Sequence, residues 1–153
     1  MKNKTVKEST ESDIDLMDLT IPDNVMIFKL LQLMCEGSFG KNQNMIRDQT
    51  ANSAVVGVMD SMAAYLGVLS KSHSIINIYI MISILDCSMR FMQGPCVGNQ
   101  EYLVLSTELL ASINRIIRSA NWSSLELPDQ YDVIFVATQH MKLKKSVINT
   151  LKG

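Results

Sequence analysis

The chain is poor in the residues on which dedicated chemistry is built: 153 residues hold three cysteines, two histidines, three prolines and only 6% aromatic side chains. Each scarcity excludes something. Cys35, Cys87 and Cys96 are odd in number and lack framework-like spacing, so no disulfide scaffold is indicated and free thiols in a reducing compartment are expected. His73 and His140 stand in contexts that pair neither with a cysteine nucleophile, and no Cys or His pair has metal-ligand spacing. Asp13, Asp15 and Asp18 are spaced suggestively but lack the glycine of a calcium loop. Gly37 to Lys41 fails as a phosphate loop, because that motif needs four residues between its glycines and a Ser or Thr after the Lys. The residues therefore predict no enzyme, no metal site and no cofactor. There is also no basic excess: the net charge of -1 argues against a surface built to hold nucleic acid. The opening Met-Lys-Asn-Lys precedes no apolar core of a secretory signal. Without that route, the acceptor-like tripeptides at Asn3 and Asn121 carry no weight.

What remains is a chain that is 47% apolar and 19% charged, long enough for one domain with a proper core. Its apolar residues recur at helical periods and no segment alternates at period two, which predicts an all-α fold, a bundle of helical hairpins. Residues 1–20 read as a flexible polar leader and 21–153 as the helical domain. Pro22 and Asp23 open a first helix running to Glu36, with Lys29, Gln32 and Glu36 on one polar stripe. A short polar helix follows, capped by Ser38 or a neighbour. From Asn52 to Ser70, Val55, Met59, Met62, Leu66 and Leu69 form an apolar seam, while Gly57, Ser61 and Ala64 offer a small face for close approach. The short link Lys71–Ser74 predicts a helical hairpin with the next helix. Leu109, Leu110, Ile113, Ile116 and Ile117 make another seam, with Asn114, Arg115 and Arg118 facing away. A last helix from Pro128 ends in Lys142, Lys144, Lys145 and Lys152, where the helix dipole favours cations.

The apolar run Ile75 to Met92 reads as the central buried helix. Asn77, Ser83, Asp86 and Arg90 interrupt it, so it reads as core and not as a membrane span. Asp86 precedes Arg90 by four residues, the order that favours an ion pair along a helix. Gly94 is expected in the left-handed conformation at the helix exit, with Pro95 preventing continuation. The isolated chain is expected to be soluble and monomeric or weakly associated.

Two stretches then carry a resemblance. Leu31, Gln32, Leu33, Cys35 and Glu36, followed by Gln43, Asn44, Arg47 and Gln49, resemble the opening of the homology-associated cytosolic domain of inositol trisphosphate and ryanodine receptors, the intracellular calcium-release channels. Gln93, Gly94, Pro95 and Cys96, with Asn99 and Gln100, resemble the second half of that signature. Asp48 departs from the usual run after the Arg. The resemblance implies an armadillo-like solenoid segment on the cytosolic face of the endoplasmic or sarcoplasmic reticulum. It also implies other domains or subunits of a tetrameric channel as partners, and a role in relaying conformational change to a pore outside this chain. The alternatives are a freestanding helical interaction module derived from such a receptor and an accessory domain of a helical enzyme.

Overall fold

The computed structural model describes residues 23–49, 57–72, 74–119 and 133–152. The leader 1–20, the start of the helix expected from Asn52, His73, the segment with Trp122 and both glycosylation-like tripeptides lie outside them. The described residues form seven α-helices and no strand. These are α1 (Asp23–Met34), α2 (Gly40–Arg47), α3 (Val58–Leu69), α4 (Ile75–Met92), α5 (Val97–Glu101), α6 (Leu109–Arg118) and α7 (Val133–Lys152). A 3-10 turn at Glu36–Ser38 precedes α2, and a π turn at Tyr102–Ser106 continues α5. The fold is an all-α bundle, as the periodicity predicts.

The hub is α4. Ile78, Met81, Ile84, Leu85, Cys87 and Phe91 are fully sealed, and the helix packs most extensively on α7 and α1, with further contacts to α3 and α5. By length and composition α4 does qualify as a membrane span, at a mean hydropathy of 1.5 over 18 residues, so its polar interruptions do not disqualify it as the sequence reading held. Its apolar surface is nevertheless spent within the bundle, where 56% of that window is buried. Ser74 begins the helix by accepting the Asn77 backbone N–H at 3.2 Å.

The helices meet at a regular interval along the chain: α1 on α4 and α4 on α7, α2 on α5, α3 on α6. In the third of these rows Met59, Met62, Ala63, Leu66 and Leu69 bury the α3 seam against Leu109, Ile113 and Ile116. The close approach falls elsewhere than expected. Ser61 and Ala64 are exposed, whereas a Cβ at Gly67 would stand 3.3 Å from both Glu108 Oε2 and Ser112 Oγ. The Gly67 carbonyl accepts from Arg115 Nη1 at 3.1 Å, so the Arg115 tip returns to α3 instead of facing away.

Three other local expectations are not met. Asp86 accepts from Ser146 Oγ at 2.6 Å and Arg90 donates to Gln93 Oε1 at 2.8 Å, so the i, i+4 pair along α4 is replaced by separate contacts. Ser38 does not cap α2: its φ of 56° is left-handed, an N-cap wants extended backbone, and Phe39 fills that place without a side-chain acceptor. On α1 the expected polar stripe is divided, because Gln32 turns inward to Ser83 O while Met26, Ile27, Leu30 and Leu33 face solvent.

Gly67→Leu is expected to destabilise the domain by ~1–3 kcal/mol, since its added atoms have only Glu108 and Ser112 to displace. Urea titration followed by circular dichroism measures this, and an unchanged midpoint would contradict the close α3/α6 contact.

Candidate functional site

A helix leaves its last four carbonyls without intrahelical donors, and the last turn of α4, with Phe91 and Met92 buried, opens to water only at Gln93–Pro95. Three side-chain carboxamides take that role. Gln43 Nε2, from fully buried Gln43 on α2, donates to Arg90 O and Gln93 O, both at 2.8 Å. Asn99 Nδ2, from α5, donates to Phe91 O at 3.0 Å and to the backbone carbonyl of Gln43 at 2.8 Å. Gln100 Nε2 donates to Met92 O at 2.9 Å and reaches Gly94 O at 3.4 Å. The end of α4 is thereby tied to both short helices.

The turn after α4 explains why a side chain is needed at Met92. Gln93 has φ -65° and ψ 134° and Gly94 φ 83°, the values of the two central residues of a type II turn. The fourth residue is Pro95, which has no N–H to close that turn, and the Gln100 amide takes the carbonyl instead. Gly94 is required twice over, by its φ and by space, since a Cβ there would lie 2.9 Å from the Ser38 Cβ. The expected left-handed Gly94 is found, one residue beyond an extended Gln93.

Arg47 braces the outer edge. Its Nη1 donates to Asn99 Oδ1 at 2.8 Å, which fixes the Asn99 amide with its NH2 group towards the carbonyls, and its Nη2 reaches Asn44 Oδ1 at 3.2 Å. The guanidinium lies over Gly98, where any Cβ would collide with it. The Cys96 thiol donates to Asn44 Oδ1 at 3.7 Å.

Of the residues singled out from the sequence, Gln43, Asn44, Arg47, Gln93, Gly94, Pro95, Cys96, Asn99 and Gln100 thus meet at one junction. The others are placed differently. Leu31 packs half-buried on the core, Gln32 donates to Ser83 O at 3.2 Å and Cys35 is buried, while Leu33 and Glu36 are exposed and Gln49 lies half-buried just past α2.

The sequence held a further signal for this architecture, one that brings in Gly37 and Asn42 from outside the candidate set. Gly37, Asn42 and Gln43 recur at identical spacing as Gly94, Asn99 and Gln100. Both glycines are left-handed, at φ 71° and 83°. Asn42 and Asn99 each donate to the carbonyl eight residues before them, Met34 O and Phe91 O. Phe39 O and Cys96 O each accept the two matching backbone N–H groups that follow. The junction after α4 is the second copy of a unit that also closes α1.

Chemically the junction holds positions and offers no reacting pair. Burial, helped by Cys96, pushes the Cys35 thiol up to about 11, and burial, Cys35 and Asp86 push Cys87 higher still, so neither is an activated nucleophile. All three cysteines are buried free thiols. Among the described residues no group of three His, Cys, Asp or Glu side chains converges as a metal site.

The chain belongs to the RyR and IP3R Homology associated family, whose model matches residues 22–117 and so spans α1 to α6. No solved structure matches the chain.

Replacing Gln43 or Asn99 by Leu is expected to cost ~1–3 kcal/mol each, because buried carbonyls lose their donors, whereas exposed Glu36→Ala stays within ~0.5 kcal/mol. Chemical denaturation of the three variants compares them, and equal midpoints would refute the capping role. A second outcome concerns pH. A thiol with its pKa raised on folding favours the fold only while protonated, so the Cys35 contribution is complete below its ordinary value of 9.0 and lost as pH climbs towards 11. Thermal melts across that window should fall less steeply for Cys35→Ala than for the parent chain.

Proposed function

We propose that the chain is a segment of the cytosolic helical scaffold of an intracellular ligand-gated calcium-release channel, relaying conformational change to a pore that lies outside these residues. It is not proposed as an enzyme. The observation that carries the reading is the amide junction, which coincides with the family signature and gives it a mechanical meaning. Carboxamides from α2 and α5 hold the end of α4, so a displacement of α4 is delivered to both short helices and, through the π turn, to α6. The rows α1–α4–α7, α2–α5 and α3–α6 are what a stack of three-helix repeats produces, which supports the armadillo-like reading. On this reading the partners are neighbouring domains or subunits of a tetrameric channel at the endoplasmic or sarcoplasmic reticulum, with this segment on the cytosolic side.

The test places residues 22–117 in a calcium-release channel in exchange for its own homologous segment. Ligand-evoked release should persist in the exchanged channel. Gly94→Val in that channel should cut release several-fold with ligand binding unchanged, because the side chain meets Ser38 and the turn must open. A channel that releases normally with this substitution, although its segment melts earlier, would defeat the relay while leaving the capping role intact.

A further inference from the structure

The two short helices enclose a cleft that the capping of α4 leaves unused. It measures about 200 Å3 and runs between α2, which contributes Gly40, Gln43, Asn44 and Arg47, and the entry to α5 at Cys96 and Gly98. That is below the ~300–1,000 Å3 of clefts that hold drug-sized ligands, yet well above the ~30 Å3 share of a single water. The outer faces of α1 and α7 take no part in lining it.

One wall is rich in unused donors. Both hydrogen bonds of the Arg47 guanidinium go to neutral carboxamides, Asn99 Oδ1 and Asn44 Oδ1, and its remaining N–H groups have no partner among the described residues. Asn44 Oδ1 also accepts from the Cys96 thiol, which leaves the Asn44 NH2 group as a further donor. No acidic side chain lines the cleft. The carboxylates nearest in the chain, Glu36, Asp48 and Glu101, are exposed outside it, Lys41 adds a cation beside Gly40, and Arg90 is held by Gln93 Oε1. A guanidinium with spare donors and no carboxylate is matched by an oxyanion.

The other lining group has the opposite need. Gln43 Oε1 is buried without a hydrogen-bond partner. The amide cannot turn over to relieve it, because its Nε2 already serves Arg90 O and Gln93 O. An acceptor left unpaired in this way marks a place where a donor is missing. The cleft therefore asks for negative oxygen and for an O–H in the same small molecule.

We propose that the cleft between α2 and α5 is a binding site for a small oxyanion that carries its own hydroxyl, a hydrogen phosphate or a hydroxy-carboxylate. The oxyanion accepts from Arg47 and Asn44, and the hydroxyl donates to Gln43. An occupant ties α2 to α5 directly, beside the carboxamides that tie both to α4. The site is independent of the channel assignment.

Proton–nitrogen correlation spectra of the 153-residue chain, titrated with inorganic phosphate against sodium chloride of equal ionic strength, should show saturable shifts centred on the Gly40 and Gly98 amides. Glycolate, a hydroxy-carboxylate, is titrated in parallel, and the tighter of the two identifies the source of the oxyanion. Acetate has the charge but no hydroxyl and should bind ~10-fold more weakly than glycolate. Gly40→Asp sets a carboxylate at the cleft, and should weaken phosphate and glycolate by ~10-fold or more. A Cβ at Gly40 meets nothing within 4 Å, so circular dichroism of this variant should be unchanged. Gly40→Asn, equal in size and neutral, should bind as the parent chain does. Three results would each overturn the proposal: shifts that follow chloride as closely as phosphate, acetate binding as tightly as glycolate, and undiminished binding by Gly40→Asp. None of them bears on whether the exchanged channel releases calcium.

Discussion

The structure depends on how the C-terminal end of α4 is satisfied. The helix must be buried, since its apolar surface faces α1, α3 and α7, yet a buried end strands carbonyls whose desolvation costs more than a made hydrogen bond returns. Backbone N–H groups cannot supply them all, because Pro95 removes the nearest donor. Long, neutral side chains from two different short helices do so instead. That solution fixes where α2 and α5 lie.

The residues that carry the resemblance become intelligible as physical chemistry on this view. Gln43 reaches two carbonyls at once, which a shorter Asn at that position would not span, and Asn99 bridges a carbonyl on each side of the interface. Arg47 orients Asn99, and Gly98 is bare so that Arg47 can lie over it. Gly94 supplies the conformation and the room, with left-handed Ser38 directly against it. The two turns that end α1 and α4 thus rest on each other.

What was legible in the sequence was local. Ser74 and the Gln93-Gly94-Pro95 run bound α4 correctly, because caps and turn residues act on the backbone next to them. The seam of Met59, Met62, Leu66 and Leu69 was likewise legible from period alone. Partners distant in the chain were not. Asp86 stands at an ion-pairing interval from Arg90, but it accepts from Ser146 on α7, which nothing local announces. Periodicity also fails on α1: a helix apolar on most sides does not declare which side meets the core, so nothing in it announces that Leu30 and Leu33 face solvent. The matching of Gly37, Asn42 and Gln43 with Gly94, Asn99 and Gln100 was present in the letters, but only the paired φ values and hydrogen bonds give three such common residues meaning.

The groups that close the end of α4 are all carboxamides, and this sets what can disturb the joint. An amide neither gains nor loses a proton in the physiological range, attracts no counterion atmosphere and offers a divalent cation little that water does not. A joint made of carboxylates and ammonium groups would loosen with salt and respond to every swing in acidity or calcium. Here the carbonyls are held by groups that do not titrate, and the Arg47 guanidinium that orients Asn99 keeps its charge throughout that range.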